Sequence, residues 1–190
     1  CLTVVSLCGV CAAQPVTLDF DDLEIAGSGY TNMMNYSKDG FLISNTGNYS
    51  AAFSAPRQSA SLYYGSANLI YNYHASFDWV ILSSLTSDPF TLNSIDLHGI
   101  ASGAQTVNFY AYDENQTQVG NAFLAFDDAA AWHTLNFGPD FREIYSVRWQ
   151  QDEPYHSFDK IVLNSTVVPE PVSFLLYGLG GLCLAAFRRK

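Results

Sequence analysis

Five carboxylates stand where the two ends of a folded chain could meet. Asp19, Asp21, Asp22 and Glu24 crowd together early, and Asp159 lies far along the chain. A hard cation such as calcium takes about six to eight oxygen ligands at flexible geometry, so such a group could hold one if the fold closes it. The same carboxylates serve equally as a solvated edge that discourages strand pairing. Lys160 sits beside Asp159 and would oppose a cation. Tyrosines make a second group: Tyr63 with Tyr64, and Tyr71 with Tyr73, which on a strand would share one face. An aromatic face that also carries a hydroxyl can stack on a sugar ring, although ordinary packing uses the same residues. Trp79, Trp132 and Trp149 are expected to fill the core.

Bond-breaking chemistry finds little to work with. His74, His98, His133 and His156 are scattered, without an H-E-x-x-H pair. No G-x-S-x-G elbow occurs. Asp127 and Asp128 are adjacent, which puts them on opposite strand faces or in a turn, not across a glycosidic bond. The chain is read as non-enzymatic. Its formal net charge is -10, and three of its eight basic residues, Arg188, Arg189 and Lys190, are the last three. An acidic body repels phosphate backbones, so nucleic acid is not an expected partner.

Side chains of these types need strands to position them. Apolar and polar residues alternate along Val16–Phe20, Phe41–Asn45 and Phe90–His98, with a phase slip near Ser94 and Ile95 that allows a bulge. Val107, Phe109 and Ala111 alternate against Asn108, Tyr110 and Tyr112. Gln118–Phe126, Trp132–Phe137, Ile144–Trp149 and Phe158–Leu163 continue the series. Gly, Asn, Asp and Pro punctuate it, as in an antiparallel sandwich or barrel. A short helix is allowed near Ala60 or over Asp127–Ala131. The fold class expected is all-β, an antiparallel β-sandwich spanning residues 14–166.

The two ends read as processing signals. Leu2–Val10 is a short apolar run closed by the small residues Cys11, Ala12 and Ala13, with polar Gln14 and Pro15 after it. This is the pattern of a secretory signal, residues 1–13, cut between Ala13 and Gln14. Without an initiator Met or a basic lead, the chain as given is expected to begin inside that signal. Acylation at Cys8 or Cys11 is the alternative, poorly matched by the residues before each. Cysteines occur only at Cys1, Cys8, Cys11 and Cys183, so the stretch between the ends forms no internal disulfide. At the other end Val168, Pro169, Glu170 and Pro171 precede an uncharged stretch, 172–187, and then the basic tail. As a helix that stretch measures roughly 24 Å, somewhat short of the roughly 30 Å hydrocarbon core, a gap that bilayer thinning or snorkelling can close. The basic tail would stay cytoplasmic and leave the body outside.

Pro-Glu-Pro, then a Gly/Leu-rich apolar helix, then a basic terminus resembles the PEP-CTERM sorting signal, here residues 167–190. The resemblance implies a Gram-negative host that makes exopolysaccharide. It also implies an exosortase, a membrane-embedded cysteine protease that reads the tail and cuts near the motif. The implied protein is transiently held in the inner membrane, then released to the cell surface or the extracellular matrix. A second and weaker resemblance, to galactose-binding-like jelly-rolls, rests on Phe90-Thr-Leu-Asn-Ser-Ile-Asp-Leu97, Val107-Asn-Phe-Tyr-Ala-Tyr-Asp113, Trp132-His-Thr-Leu-Asn-Phe137, Val147-Arg-Trp149 and Phe158-Asp-Lys-Ile-Val-Leu163. In carbohydrate-binding modules of similar fold a structural calcium is bound by the chain ends. Carried over, that implies Asp19, Glu24 and Asp159 as ligands. Tyr71 and Tyr73 are the candidate sugar contacts by their type and spacing. The lead expectation is therefore a matrix or envelope protein sorted through its tail. A carbohydrate-binding module for exopolysaccharide is the alternative, and a secreted hydrolase comes third.

Overall fold

Alternation of inward apolar and outward polar side chains along most strands organises residues 15–165 into two facing sheets. The computed structural model describes residues 15–47, 49–72, 78–100, 105–126, 131–151 and 156–165. The two stretches expected to be processing signals, and with them Ala13, Gln14, Val168–Pro171, the stretch 172–187 and Arg188–Lys190, lie outside the described residues, as do Tyr73 and the helix allowed over 127–131 except its last residue. Among the described residues no helix is long and apolar enough to cross a membrane.

The strands are β1 (Pro15–Leu18), β2 (Tyr30–Met33), β3 (Tyr36–Lys38), β4 (Phe41–Asn45), β5 (Phe53–Pro56), β6 (Leu69–Tyr71), β7 (Val80–Ser84), β8 (Phe90–Gly99), β9 (Gln105–Tyr112), β10 (Gln118–Phe126), β11 (Trp132–Asn136), β12 (Ser146–Gln151) and β13 (His156–Ser165). One seven-stranded sheet runs β11-β8-β13-β6-β5-β2, with β1 also on β13; a six-stranded sheet runs β10-β9-β12-β7-β4-β3. The pairs are antiparallel, and the first and last strands are neighbours, Leu18 opposite Ile161. The all-β sandwich expected from alternation is thus the fold. The segment around Ala60 is a run of turns, not a helix.

Local chemistry explains the joints. β3 and β4 are joined by Asp39 and Gly40, both at positive φ (50° and 82°), the mirror-image turn whose twist matches a hairpin. The phase slip anticipated in β8 is real: register along β8 and β13 shifts between Asp159 and Val162 and again before Leu163. Lys160, at φ 45°, is the extra residue of the β13 bulge.

Inward side chains make one aromatic-rich core. Trp149 meets the edge of Phe158 at 5.4 Å and stacks on Phe109 at 5.6 Å, and Phe20 meets Phe158 at 5.8 Å. His156 is enclosed in this core. Its Nε2 accepts the Trp149 indole N–H at 3.0 Å, so the neutral ring carries its proton on Nδ1. Burial pushes its pKa down to about 3.

Candidate functional site

The carboxylates named from the sequence do not assemble into a cation site. Among the described residues no three His, Cys, Asp or Glu side chains stand together as metal ligands. Asp19 is paired with Lys38, which holds its carboxyl below the usual range. Glu24 accepts the Tyr63 hydroxyl at 2.5 Å and the Gln58 amide at 3.0 Å, and these bonds lower its pKa. Asp159 is 2% exposed and accepts from the Ser66 hydroxyl at 2.9 Å and the Lys160 N–H at 2.7 Å. The structure does not bring Asp19, Glu24 and Asp159 together: each has a separate partner, and Glu24 and Asp159 tie down the 57–66 segment through Gln58, Tyr63 and Ser66.

Tyr71 is also corrected as a sugar contact. Its side chain is 3% exposed and faces the core, tilted against Phe53 at 5.6 Å. Nor do all three tryptophans fill the core. Trp149 does, whereas Trp79 and Trp132 are half-buried on opposite outer faces.

The outer face of the six-stranded sheet is where aromatics gather. Val107, Phe109 and Ala111 turn inward, so Asn108, Tyr110 and Tyr112 turn outward on β9. On β12, Val147 and Trp149 turn inward and leave Arg148 and Gln150 outside. Register then aligns the outward set: Arg148 lies opposite Tyr110, Gln150 opposite Asn108, and Phe123 of β10 opposite Asn108 on the other side. Trp79, just before β7, meets Tyr110 edge-on at 5.4 Å. The Arg148 guanidinium lies 4.3 Å from the centre of the Tyr112 ring and donates to Gln116. Phe123 is 64% exposed. Among the described residues, Gln150 Oε1 and Arg148 Nε are shielded from solvent yet have no hydrogen-bond partner.

The outer face of the seven-stranded sheet is built differently. The 57–66 segment crosses it. Tyr64 stacks on His98 at 3.7 Å, and Trp132 meets the His98 ring at 5.3 Å. The start of the segment is laddered to the chain before β2: Arg57 N–H to Gly29 O, Gln58 N–H to Ile25 O, and Ser59 N–H to Gly27 O, at 2.9–3.1 Å. Asp159 lies beneath it, opposite Asp96 of β8. Burial, the main cause, raises the Asp159 pKa to about 6, with the Asp96 charge adding and Ser66 and Lys160 opposing. Beside the segment opens a groove of about 490 Å³ lined by Tyr30, Asn32, Ser54, Leu62, Ile70, Asn72 and Ile100.

One signal in the sequence could have located the six-stranded face. The outward phase of Tyr110 and Tyr112 follows from the alternation itself. The position of Trp79 does not, because it depends on which strand β7 joins.

No family model matches the chain, and no curated protein does. Solved structures do share its fold. A DUF4465 family protein from Bacteroides caccae matches at 14% identity with a TM-score of 0.56, over 80% of this chain and 100% of that one. The CBM22-1–GH10 modules of Clostridium thermocellum endo-1,4-beta-D-xylanase 10B, complexed with xylohexaose, match at 11% identity and TM-score 0.47, over 83% of this chain, which spans 30% of that one. A family 29 carbohydrate-binding module complexed with mannohexaose matches at 15% identity and TM-score 0.45, over 81% of this chain and 92% of that one. At such identity the first match defines a class, an antiparallel two-sheet sandwich, and the two weaker ones carry no argument about ligands.

Proposed function

We propose that this domain binds a polysaccharide chain, without cleaving it, on the outer face of the six-stranded sheet. The observation that carries the reading is the aligned outward row of Trp79, Tyr110, Tyr112 and Phe123 interleaved with Asn108, Arg148 and Gln150. A pyranose presents apolar C–H faces and a rim of hydroxyls. Rings on a rigid sheet offer stacking surfaces for the faces, while amides and a guanidinium donate to and accept from the rim. An extended platform of this kind suits the interior of a long glycan better than a small enclosed ligand. The test is affinity electrophoresis of the full chain against soluble neutral and acidic polysaccharides. Retarded migration that vanishes on combining Trp79→Ala with Tyr110→Ala is expected; equal migration of both proteins in every gel would defeat the proposal.

The setting we propose is the cell envelope or extracellular matrix. Its support is the order of Pro169-Glu170-Pro171, apolar stretch and basic tail in the sequence. In this reading an exosortase in the inner membrane removes the tail, and exopolysaccharide is the ligand outside. Intact mass of the protein recovered outside the cell tests it. The expected species lacks Val172–Lys190, and an end product that retains them would overturn the sorting step.

A further inference from the structure

The groove on the seven-stranded sheet has a polar chain whose direction is set by one backbone carbonyl. Asn72 Nδ2 donates to Ala51 O at 3.0 Å. A carbonyl only accepts, so this bond decides which way the Asn72 amide faces. The same nitrogen then donates to Ser54 Oγ at 2.6 Å, and Ser54 passes its own proton to Asn32 Oδ1 at 2.7 Å. Among the described residues two ends of this chain remain unused: the Asn72 carbonyl oxygen, an acceptor, and the Asn32 amide N–H groups, donors. Ile70, Leu62 and Ile100 contribute the apolar part of the same lining. Tyr30, 41% exposed, completes it, with its hydroxyl at 3.2 Å from Ser61 Oγ.

We propose that this groove is a second ligand site, for one neutral sugar residue, on the face opposite the platform. The volume of about 490 Å³ falls within the roughly 300–1,000 Å³ of small-molecule sites. Among the described residues no lining side chain carries a charge at neutral pH, so a charged ligand would gain no partner among them in exchange for its water. A wholly apolar ligand would leave the Asn32 donors and the Asn72 acceptor unmatched. A pyranose satisfies both conditions: an apolar face for Ile70, Leu62 and Tyr30, and hydroxyls that both accept and donate at the two ends. The wall is rigid because its segment is tied down by Glu24 to Gln58 and Tyr63 and by Asp159 to Ser66. With sites on both outer faces, the domain would join a chain lying on the platform to a sugar unit of another, which is a cross-link.

Saturation-transfer NMR of the full chain in mild detergent, with glucose, galactose, mannose and N-acetylglucosamine each in large excess, tests this. At least one neutral monosaccharide is expected to bind. Asn32→Ala, which removes exposed donors without touching the core, is expected to weaken it about tenfold. Leu62→Trp, which fills the groove from the segment side, is expected to abolish it. Trp79→Ala is expected to leave it unchanged, so this site and the platform fail or succeed separately. Binding of none of the four sugars overturns the proposal. So does binding that survives both groove variants, or a signal lost only with Trp79→Ala, which would assign the sugar to the platform.

Discussion

On the six-stranded sheet the outward side chains of β9 and β12 are half-exposed, whereas on the seven-stranded sheet His98 of β8 and Asp159 of β13 are buried against the 57–66 segment. The consequences are chemical. The first face keeps Tyr110, Tyr112, Arg148 and Gln150 half-exposed, available to a long ligand. The second buries His98, Ser157 and Asp159, all strand positions that would otherwise face water. A carboxylate placed there loses hydration, and its pKa rises to about 6. The same strand period therefore yields a platform on one side and a narrow, strapped groove on the other. What separates them is a single connection between β5 and β6.

Both faces rest on one shared core. Phe158→Ala removes a fully buried ring that touches Trp149, Phe20 and Phe53. A loss of about 3–5 kcal/mol in urea unfolding is expected, with both binding activities falling together.

Substitution of Asp159 changes only the strapped face. Asp159 is protonated more readily in the fold than in the unfolded chain, its pKa going from 3.8 to about 6. Its contribution is therefore fully present below pH 3.8 and lost as pH rises through about 6, up to roughly 3 kcal/mol. His156 runs the other way, from 6.5 down to about 3, so its contribution is present above pH 6.5 and lost as pH falls towards 3. Between pH 3.8 and 6 the two slopes oppose, and stability should change little. Asp159→Asn keeps the shape and removes the charge. It should raise stability at pH 7 by up to roughly 3 kcal/mol and expose the His156 slope, so that stability climbs with pH from about 4 to 6. Thermal melts across that range decide the matter; a variant that parallels the parent at every pH would show that Asp159 is not the buried acid.

Trp79→Ala acts on the open face alone. A loss of about 2 kcal/mol in polysaccharide affinity, near thirtyfold, is expected with an unchanged melting temperature. A large drop in melting temperature instead would mark Trp79 as a packing residue. The smallest effect belongs to Ser66→Ala, which removes one hydrogen bond to Asp159 and should cost about 1 kcal/mol at pH 8. At pH 5, with Asp159 largely protonated, the cost should shrink, and equal costs at both pH values would uncouple the segment from that carboxylate.

Alternation by itself determined most of the strands and their inward faces. Val107, Phe109 and Ala111 face the core as their spacing demands, and Asn108, Tyr110 and Tyr112 face out. β4 and β10 run over the residues that the pattern marks, and even the phase slip in β8 was legible as a bulge. Those features are local, because a pleated strand repeats every two residues whatever it is paired with. Tyr71 shows where this stops: its three-residue strand is too short to display a phase, and pairing with β5 and β13 turned it inward. The carboxylates show it more plainly. Asp159 meets Ser66 across 93 residues of sequence, and Glu24 meets Tyr63 across 39. Their types announced chemistry, but whether that chemistry was a cation site or a pair of clasps depended on which loop crossed the sheet. That choice belongs to the tertiary structure, because desolvation and hydrogen-bond partners are set by what lies across from a side chain in space, not along the chain.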